Sequence, residues 1–328
     1  MTLWPACMII WNEGWLVCRS RHSYGRRAVK GNLFLELNYV RLFFSFTLNA
    51  EVSDPYALFG CRSGFDAAFR KALSCRRLDC SGCSASAGCS YPANFGQSIA
   101  SDPEAVRRHQ KPPLPFVFQF PILPPSPNRG KTLQCTLTLL GSAVQQTYHY
   151  IAAVRLLLQG IPASLLRVEA ESPGGGRALL AAGDQPALPL LSALDPTLSG
   201  PLPPDRATVT LLTPLKLMHE GRLLKRFNFS QFSRALMRRV SSLAYHYEGA
   251  ELPLDYRWLS LRSEAIETVS SDCRFVSWGG RPAGILGTAS FRGDLEPFHL
   301  FLQMGLATQL GKGASFGFGA YRISAGPS

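Results

Sequence analysis

The sequence lacks the long apolar run that a membrane-spanning helix requires. No stretch of its 328 residues approaches about 18 consecutive uncharged apolar residues. Charged residues make up only 17% of the chain against 46% hydrophobic residues, which excludes a disordered polyelectrolyte. The composition fits neither collagen nor a coiled coil. These absences predict a globular chain, and its length predicts about two domains.

Acidic residues are scarce relative to basic residues. The chain has 22 Asp and Glu against 34 Lys and Arg, a formal net charge of +12. Such an excess favours a polyanionic partner, either nucleic acid or an acidic membrane surface. The alternative is a basic but inert surface, and clustering of the charge would argue against it.

The N-terminus also lacks the order of a secretory signal, which places its positive residues first. Here apolar residues 3–11 precede Arg19, Arg21, Arg26 and Arg27. We therefore expect a cytoplasmic protein whose nine cysteines are free or metal-bound thiols. Residues 1–36 differ in character from the rest and are treated as an N-terminal extension of uncertain role.

Apolar patterning predicts one order of elements that occurs twice. The first copy has strands at 37–48, 116–120, 132–140 and 165–170 and helices at 61–73 and 142–158. The second copy has strands at 208–212, 266–269, 283–291 and 320–323 and helices at 230–247, 255–263 and 295–310, the first capped by Ser230. We predict an α+β fold of two tandem ferredoxin-like (RRM-like, βαββαβ) domains at 37–172 and 207–328, joined by a hairpin and linker at 173–206.

Residues 311–319 form a glycine-rich loop with four glycines and one lysine. Glycine permits positive φ and close approach of another chain, and successive amides can bind an anion. Phe316 breaks the dinucleotide fingerprint and Gly313 breaks the P-loop pattern, so no NTPase is predicted. The alternative is that these glycines only allow a helix to pack tightly on a strand. The predicted phosphate-binding residues are Gly311, Lys312, Gly313, Ser315, Gly317 and Gly319.

Residues 216–239 form a basic segment that contains a single acid, Glu220. Apolar residues recur at helical spacing from Phe232 to Tyr247, which leaves other faces of the helix to polar side chains. A solvated helix face is the alternative, but the imbalance of charge favours nucleic-acid contact. The predicted contact residues are Lys216, Arg222, Lys225, Arg226, Arg234, Arg238 and Arg239.

Several of these segments resemble the CRISPR precursor-RNA-processing endoribonucleases of the RAMP superfamily. The resemblance covers about residues 37–325 and is most specific at the C-terminal end. The similar segments are 212–216 (LTPLK), 221–224 (GRLL) with the helix near Phe229, 287–294 (GTASFRGD), 311–322 (GKGASFGFGAYR) and 89–92 (CSYP).

The resemblance implies two ferredoxin-like domains and a glycine-rich loop that contacts CRISPR repeat RNA, hairpin or unstructured. It also implies cleavage without a metal, in which the ribose 2′-OH attacks the adjacent phosphate. The products are a 2′,3′-cyclic phosphate and a 5′-OH. Other CRISPR effector subunits are possible partners, and no membrane partner is expected.

Such chemistry needs a base, an acid and cations, and histidine suits the first two roles near neutral pH. Among six histidines, His246 on the basic helix is the first catalytic candidate and His149 the second, while His109 lies in a basic loop that could contact RNA. Many members of the family carry a catalytic residue near the first helix, where this chain has Tyr56, Arg62, Arg70 and Lys71 instead of histidine. A mechanism assisted by arginine or lysine therefore stays open.

Four cysteines lie close together in the sequence, at Cys75, Cys80, Cys83 and Cys89. The first three match the plant-type iron–sulfur spacing, and all four could surround zinc. Ordinary thiols are the alternative. A metal here would stabilise the loop, and cleavage would require no cofactor.

The sequence thus predicts an endoribonuclease for CRISPR repeat RNA. One rival is a non-catalytic guide-RNA-binding subunit of the same superfamily, and a second is an iron–sulfur redox protein.

Overall fold

The structure is a computed structural model that describes residues 8–12, 15–19, 37–77, 80–97, 109, 112–182, 185–186, 191–192, 202–249, 251–279 and 281–325. The elements of its first part are, in chain order, β1 (Met8–Asn12), β2 (Trp15–Arg19), β3 (Tyr39–Leu48), α1 (Arg62–Ala72), α2 (Ser90–Phe95), β4 (Phe116–Gln119), β5 (Thr132–Leu140), α3 (Thr147–Leu158), β6 (Ala163–Glu171), β7 (Arg177–Ala182), β8 (Gln185–Pro186) and β9 (Leu191–Ser192). Within the described residues, short 3₁₀ turns occur at Ala57–Cys61, Ser86–Gly88 and Gly141–Gln146.

The second part of the chain repeats the pattern with a longer first helix. Its elements are β10 (Arg206–Leu215), β11 (Met218–His219), β12 (Arg222–Leu223), α4 (Phe229–Glu248), α5 (Tyr256–Glu264), β13 (Glu267–Trp278), β14 (Arg281–Arg292), α6 (His299–Thr308) and β15 (Tyr321–Ser324), with a 3₁₀ turn at Glu296–Phe298.

Two antiparallel sheets share one strand order. The first sheet runs β4-β5-β3-β6 and continues into β7 and β8, and the second runs β13-β14-β10-β15. Numbered within each βαββαβ unit, both orders are 2-3-1-4, the ferredoxin-like arrangement. The predicted α+β fold with two tandem ferredoxin-like units is confirmed. The extension hairpin of β1 and β2 pairs with β9, which lies in the predicted linker.

Strand β4 joins the two hydrophobic cores because its side chains alternate between faces. Phe116 and Phe118 are buried in the core of the first sheet, whereas Val117 between them belongs to the core of the second. Phe318, from the C-terminal loop, packs in turn in the first core, where its ring centroid lies 5.1 Å from that of Phe59. The cores therefore interlock.

Three local predictions differ from the structure. Helix α4 is capped by Asn228, whose Oδ1 accepts from the amide of Gln231 at 3.1 Å, while Ser230 is buried and bonds Ser263. Strand β13 extends to Trp278, well beyond the predicted 266–269, because this edge strand is largely exposed and polar and so lacks an apolar pattern. The cysteine loop contains the short helix α2.

Within the described residues, no helix combines the length and the hydropathy that crossing a bilayer demands.

Candidate nucleic-acid interface

A cleft of about 720 Å³ lies where the two ferredoxin-like units meet. One wall comes from the first unit, through Gln97, His109 and residues 112–114. The other comes from the second unit, through helix α4 and the first half of the glycine-rich loop. The predicted residues among its lining are Lys216, Arg238, Arg239, Gly311, Lys312, Gly313 and Ser315. The structure thus brings together seven residues that were predicted from two separate segments.

The glycine-rich loop is shaped by close backbone approach. A Cβ on Gly311 would lie 2.6 Å from the carbonyl oxygen of Lys216, and one on Gly319 would lie 2.0 Å from that of Leu310. Both residues have φ values, +86° and +72°, that L side chains rarely adopt. The amide of Lys312 donates to the Lys216 carbonyl at 2.8 Å, so the loop is bonded directly to the end of β10.

Several amides of the loop are used within the protein. The amide of Phe316 donates to Gly313, and that of Gly319 donates to Pro214. Gly317 is buried against Phe120, and neither it nor Gly319 lines the cleft. For these two glycines the structure shows the packing role that the sequence left as the alternative. The side of the loop that faces the cleft is its first half, residues 311–316.

Two cations, Lys216 and Lys312, line the cleft, and the charge of Arg62 acts on Lys216 from the first unit. Burial lowers the pKa of Lys216, and repulsion from Lys312 and Arg62 lowers it further. Arg62 begins helix α1 in the other ferredoxin-like unit, and both it and Lys312 are exposed. Like charges held together are relieved by an anion, so this group suits a phosphate. The sequence pointed to Arg62 only through its position near the first helix.

Arg239 lines the cleft and connects helix α4 to the glycine-rich loop. Its Nε donates to the carbonyl oxygen of Thr308 at 3.2 Å, and its Nη2 lies 3.5 Å from Ser315 Oγ. Burial lowers the pKa of Arg239 to about 10, against the opposing influence of Tyr247. The guanidinium therefore stays charged at neutral pH, and it fastens the glycine-rich loop to α4.

The remaining predicted cations are placed differently. Arg234 pairs with Glu264 and approaches the carbonyl oxygen of Ser260 at 3.4 Å, so it links α4 to α5 outside the cleft lining. Arg222, Lys225 and Arg226 are exposed on and after the β11–β12 hairpin. They do not line the cleft, although Met218 of the same hairpin does.

His246 lies beside the cleft and not in its lining. Burial is the main cause that lowers the pKa of His246. A hydrogen bond to the His109 backbone raises this pKa, and the charge of the His109 ring lowers it further. The buried Nε2 of His246 has no hydrogen-bond partner in the described part of the chain. His109 does line the cleft, with its Nε2 3.2 Å from Glu251 Oε1 and its ring stacked on Tyr245.

His149 lies on α3 in the other ferredoxin-like unit. Its Nδ1 is 2.9 Å from Gln146 Oε1 and 3.3 Å from Ser90 Oγ. The ring contact next to it is with Tyr148, and it does not line the cleft. The structure therefore gives His149 and His246 separate surroundings.

The four cysteines form no metal centre in the described residues, where no group of three or more potential ligands converges. Cys80 and Cys89 pack against the first core, and Cys75 Sγ lies 3.9 Å from the carbonyl oxygen of Arg77. Arg70 holds this loop on α1, since its guanidinium lies 3.6 Å from the Tyr91 ring centroid and donates to Arg77. Packing thus replaces the zinc or iron–sulfur cluster that the spacing suggested at Cys75, Cys80, Cys83 and Cys89, and the structure does not support it.

Two ferredoxin-like units with a cationic cleft between them define a class of nucleic-acid-binding protein. Residues 209–321 match the family model of the CRISPR-associated endoribonuclease Cas6, and residues 37–190 match a model described as an N-terminal domain. This match supports the resemblance of the sequence to the CRISPR-associated RNA-processing endoribonucleases. No curated protein matches it.

Solved structures show the same fold at low sequence identity. The chain is similar to Thermus thermophilus Cas6 (TTHB231), with a TM-score of 0.52, 16% identity, and coverage of 88% of this chain and 99% of that one. It is also similar to a chain of a partial Cas6-RT-Cas1–Cas2 complex, with a TM-score of 0.54, 12% identity and coverage of 89% of this chain. It spans 46% of that second chain.

Proposed function

We propose that this protein cleaves CRISPR repeat RNA into mature guide RNAs without a metal ion. The observation that carries the proposal is the cleft, whose lining combines Lys216, Lys312, Arg238 and Arg239 with the first half of the glycine-rich loop. A ribose-phosphate strand supplies the anions that this group suits. Specificity would come from the shape of a short hairpin or from unpaired flanking bases, because the A-form major groove is hard to read.

Cleavage in this proposal is an internal transfer at phosphorus. The 2′-oxygen forms a bond to the adjacent phosphorus and the bond to the 5′-oxygen breaks, leaving a 2′,3′-cyclic phosphate and a 5′-OH. A base accepts the 2′-OH proton and an acid protonates the leaving 5′-oxygen. Lys216 and Lys312 would stabilise the charge that develops on the phosphate oxygens.

His246 is the first candidate for the base. Its lowered pKa keeps the imidazole neutral near pH 7, as a base requires, and it adjoins His109 in the cleft wall. His149 remains the second histidine candidate.

Lys216 is an alternative base, and a specific observation favours it. It lines the cleft, and both burial and the neighbouring charges of Lys312 and Arg62 lower its pKa. A lysine with a lowered pKa spends more time as the neutral amine that accepts a proton. This chain would then rely on lysine where relatives rely on a residue near the first helix.

The test is end-group mapping of labelled repeat RNA incubated with the full chain in EDTA. We expect cleavage at one site, with cyclic phosphate and 5′-OH ends. A positioned base contributes about 10²–10⁴-fold, so the variant that removes it among His246→Ala, His149→Ala and Lys216→Ala should lose that factor in rate. Cleavage that requires added Mg²⁺, or 5′-phosphate ends, would contradict the mechanism.

The same assay separates the rival functions. Binding of folded repeat RNA without any cleavage would leave the non-catalytic RNA-binding subunit. An iron–sulfur redox protein would be brown, and the packing of Cys80 and Cys89 against the core gives that reading no support.

We also propose cytoplasmic action with other CRISPR proteins. The structural similarity to one chain of a complex named for Cas6, RT, Cas1 and Cas2 supports such partners. Co-purification of the full chain with CRISPR proteins from its own cells would test this.

A further inference from the structure

The edge of the second sheet carries a self-complementary strand. Strand β13 lies at the end of the order β13-β14-β10-β15, and within the described residues no strand pairs with its outer edge. A strand with free backbone N–H and C=O groups is a template for pairing with another chain. We infer that two copies of this protein associate by antiparallel pairing of their β13 edges, centred on Cys273.

Two β-bulges define the part of β13 that can pair regularly. The register with β14 shifts between Thr268 and Ser270 and again between Val276 and Ser277. Residues 270–276 between them form a regular seven-residue run whose central residue is Cys273. Bulges usually protect an edge by bending it. Here they flank the regular run instead of interrupting it, so its backbone groups stay available.

The charges on this run match those of a second copy. A two-fold axis through Cys273 places Asp272 of each copy opposite Arg274 of the other, which gives two symmetric ion pairs. Both side chains are exposed, and neither has an ion-pair partner within the described part of the chain, whereas Glu267 at the start of β13 pairs with Arg292 at 2.8 Å. Directly opposed residues in antiparallel strands are close enough for such pairs to interact.

The sign of these charges argues for association. An edge guarded against pairing carries like charges or prolines, which repel or block a second strand. Asp272 and Arg274 carry opposite charges at positions symmetric about Cys273, which makes the same edge attractive to its own copy. In addition, Val269 on β13 is an apolar side chain with 52% of its surface exposed, and its burial would add to the interface.

The experiment measures the oligomeric state of the full chain by sedimentation velocity over a wide range of concentrations. We expect a concentration-dependent dimer for the wild type. Asp272→Arg and Arg274→Asp each turn two attractive pairs into two repulsive ones, so the dissociation constant should rise about tenfold or more. The double variant Asp272→Arg/Arg274→Asp restores opposite charges across the axis and should dimerise like the wild type.

Two controls make the outcome decisive. Arg322→Asp reverses a charge on β15, the opposite edge of the same sheet, and should leave the association unchanged. RNA cleavage by the single variants shows that they fold, because β13 does not line the cleft. A wild type that stays monomeric at every concentration would overturn the inference, as would a dimer that the single reversals leave intact or that the double variant fails to restore.

Discussion

Lys216 and Lys312 are neighbours because the amide of one donates to the carbonyl of the other. Both line the cleft, and their mutual repulsion contributes to the lowered pKa of Lys216. The side chains are 96 residues apart in sequence numbering, from 216 to 312, so only the fold makes them one site. A single phosphate bound here would contact residues from both predicted RNA-binding segments.

We predict that Lys312→Ala weakens repeat-RNA binding across all RNA sequences. Removing one phosphate contact should lower the slope of log affinity against log salt by about 0.7–1. Affinity measured at several salt concentrations checks this. Arg234→Ala is the matched control, because Arg234 pairs with Glu264 outside the cleft lining and its loss should leave the slope unchanged. An unaltered slope for Lys312→Ala would remove this residue from the RNA site.

His246 should make stability depend on pH. Because its pKa is lowered in the folded protein, the unfolded chain binds a proton that the folded chain resists. The stabilising contribution of neutral His246 to the free energy of unfolding is therefore fully present above about pH 6.5, the ordinary histidine pKa. It is lost as the pH falls from there towards the lowered pKa of the folded protein. Urea unfolding at several pH values should show this loss in the wild type and a smaller loss in His246→Gln.

The exposed His219 on β11 provides the comparison for this prediction. His219→Gln should retain the wild-type pH dependence. If His246→Gln also retains it, the loss at low pH arises elsewhere.

The glycine-rich loop is an element defined by backbone shape. Gly319→Ala would place a Cβ 2.0 Å from the Leu310 carbonyl oxygen, at a φ of +72°. We predict that the strained backbone conformation alone lowers the free energy of unfolding by about 1–3 kcal/mol, and that the clash with backbone atoms lowers it further. Urea unfolding measures this free energy. Gly88→Ala, where no atom lies within 4 Å of the added Cβ, should be close to neutral. Equal stability of the two variants would refute this account of the loop.

At the scale of the whole molecule, the cleft depends on the contact between the two units. The carbonyl of Ser315 accepts from Phe118 at 3.0 Å, Gln309 Nε2 donates to the Phe118 carbonyl at 2.9 Å, and Phe318 packs in the first core. One wall of the cleft is attached to the other by these contacts.

We predict that Phe318→Ala weakens RNA binding even though Phe318 does not line the cleft. Truncating a buried phenylalanine side chain to alanine lowers the free energy of unfolding by about 3–5 kcal/mol. Here the lost packing belongs to the contact between the two units. Phe298→Ala, in the core of the second unit, should lower the free energy of unfolding by a similar amount without changing the relative position of the two cleft walls. RNA affinity and unfolding curves for both variants check this. Equal RNA affinity in both variants would show that the contact does not position the cleft.

Elements with strong apolar periodicity were predicted closely. The strand at 132–140 and the long basic helix near 230–247 occur almost as expected, because alternation and helical spacing report burial directly. Strand β13 was largely missed, since an exposed edge strand has no buried face to impose a pattern. The cysteine spacing suggested a metal site, but the chain packs Cys80 and Cys89 against the core instead.

By itself, the sequence determined the order of the elements, the two ferredoxin-like units and the presence of a basic segment and a glycine-rich loop. Only the tertiary structure decided which of those residues face the cleft. It turned Arg234 towards Glu264, buried Gly317 and Gly319 in packing contacts, and brought Arg62 beside Lys216. The physical reason is that periodicity records whether a side chain is buried, whereas the partner it meets depends on contacts between segments far apart in the chain.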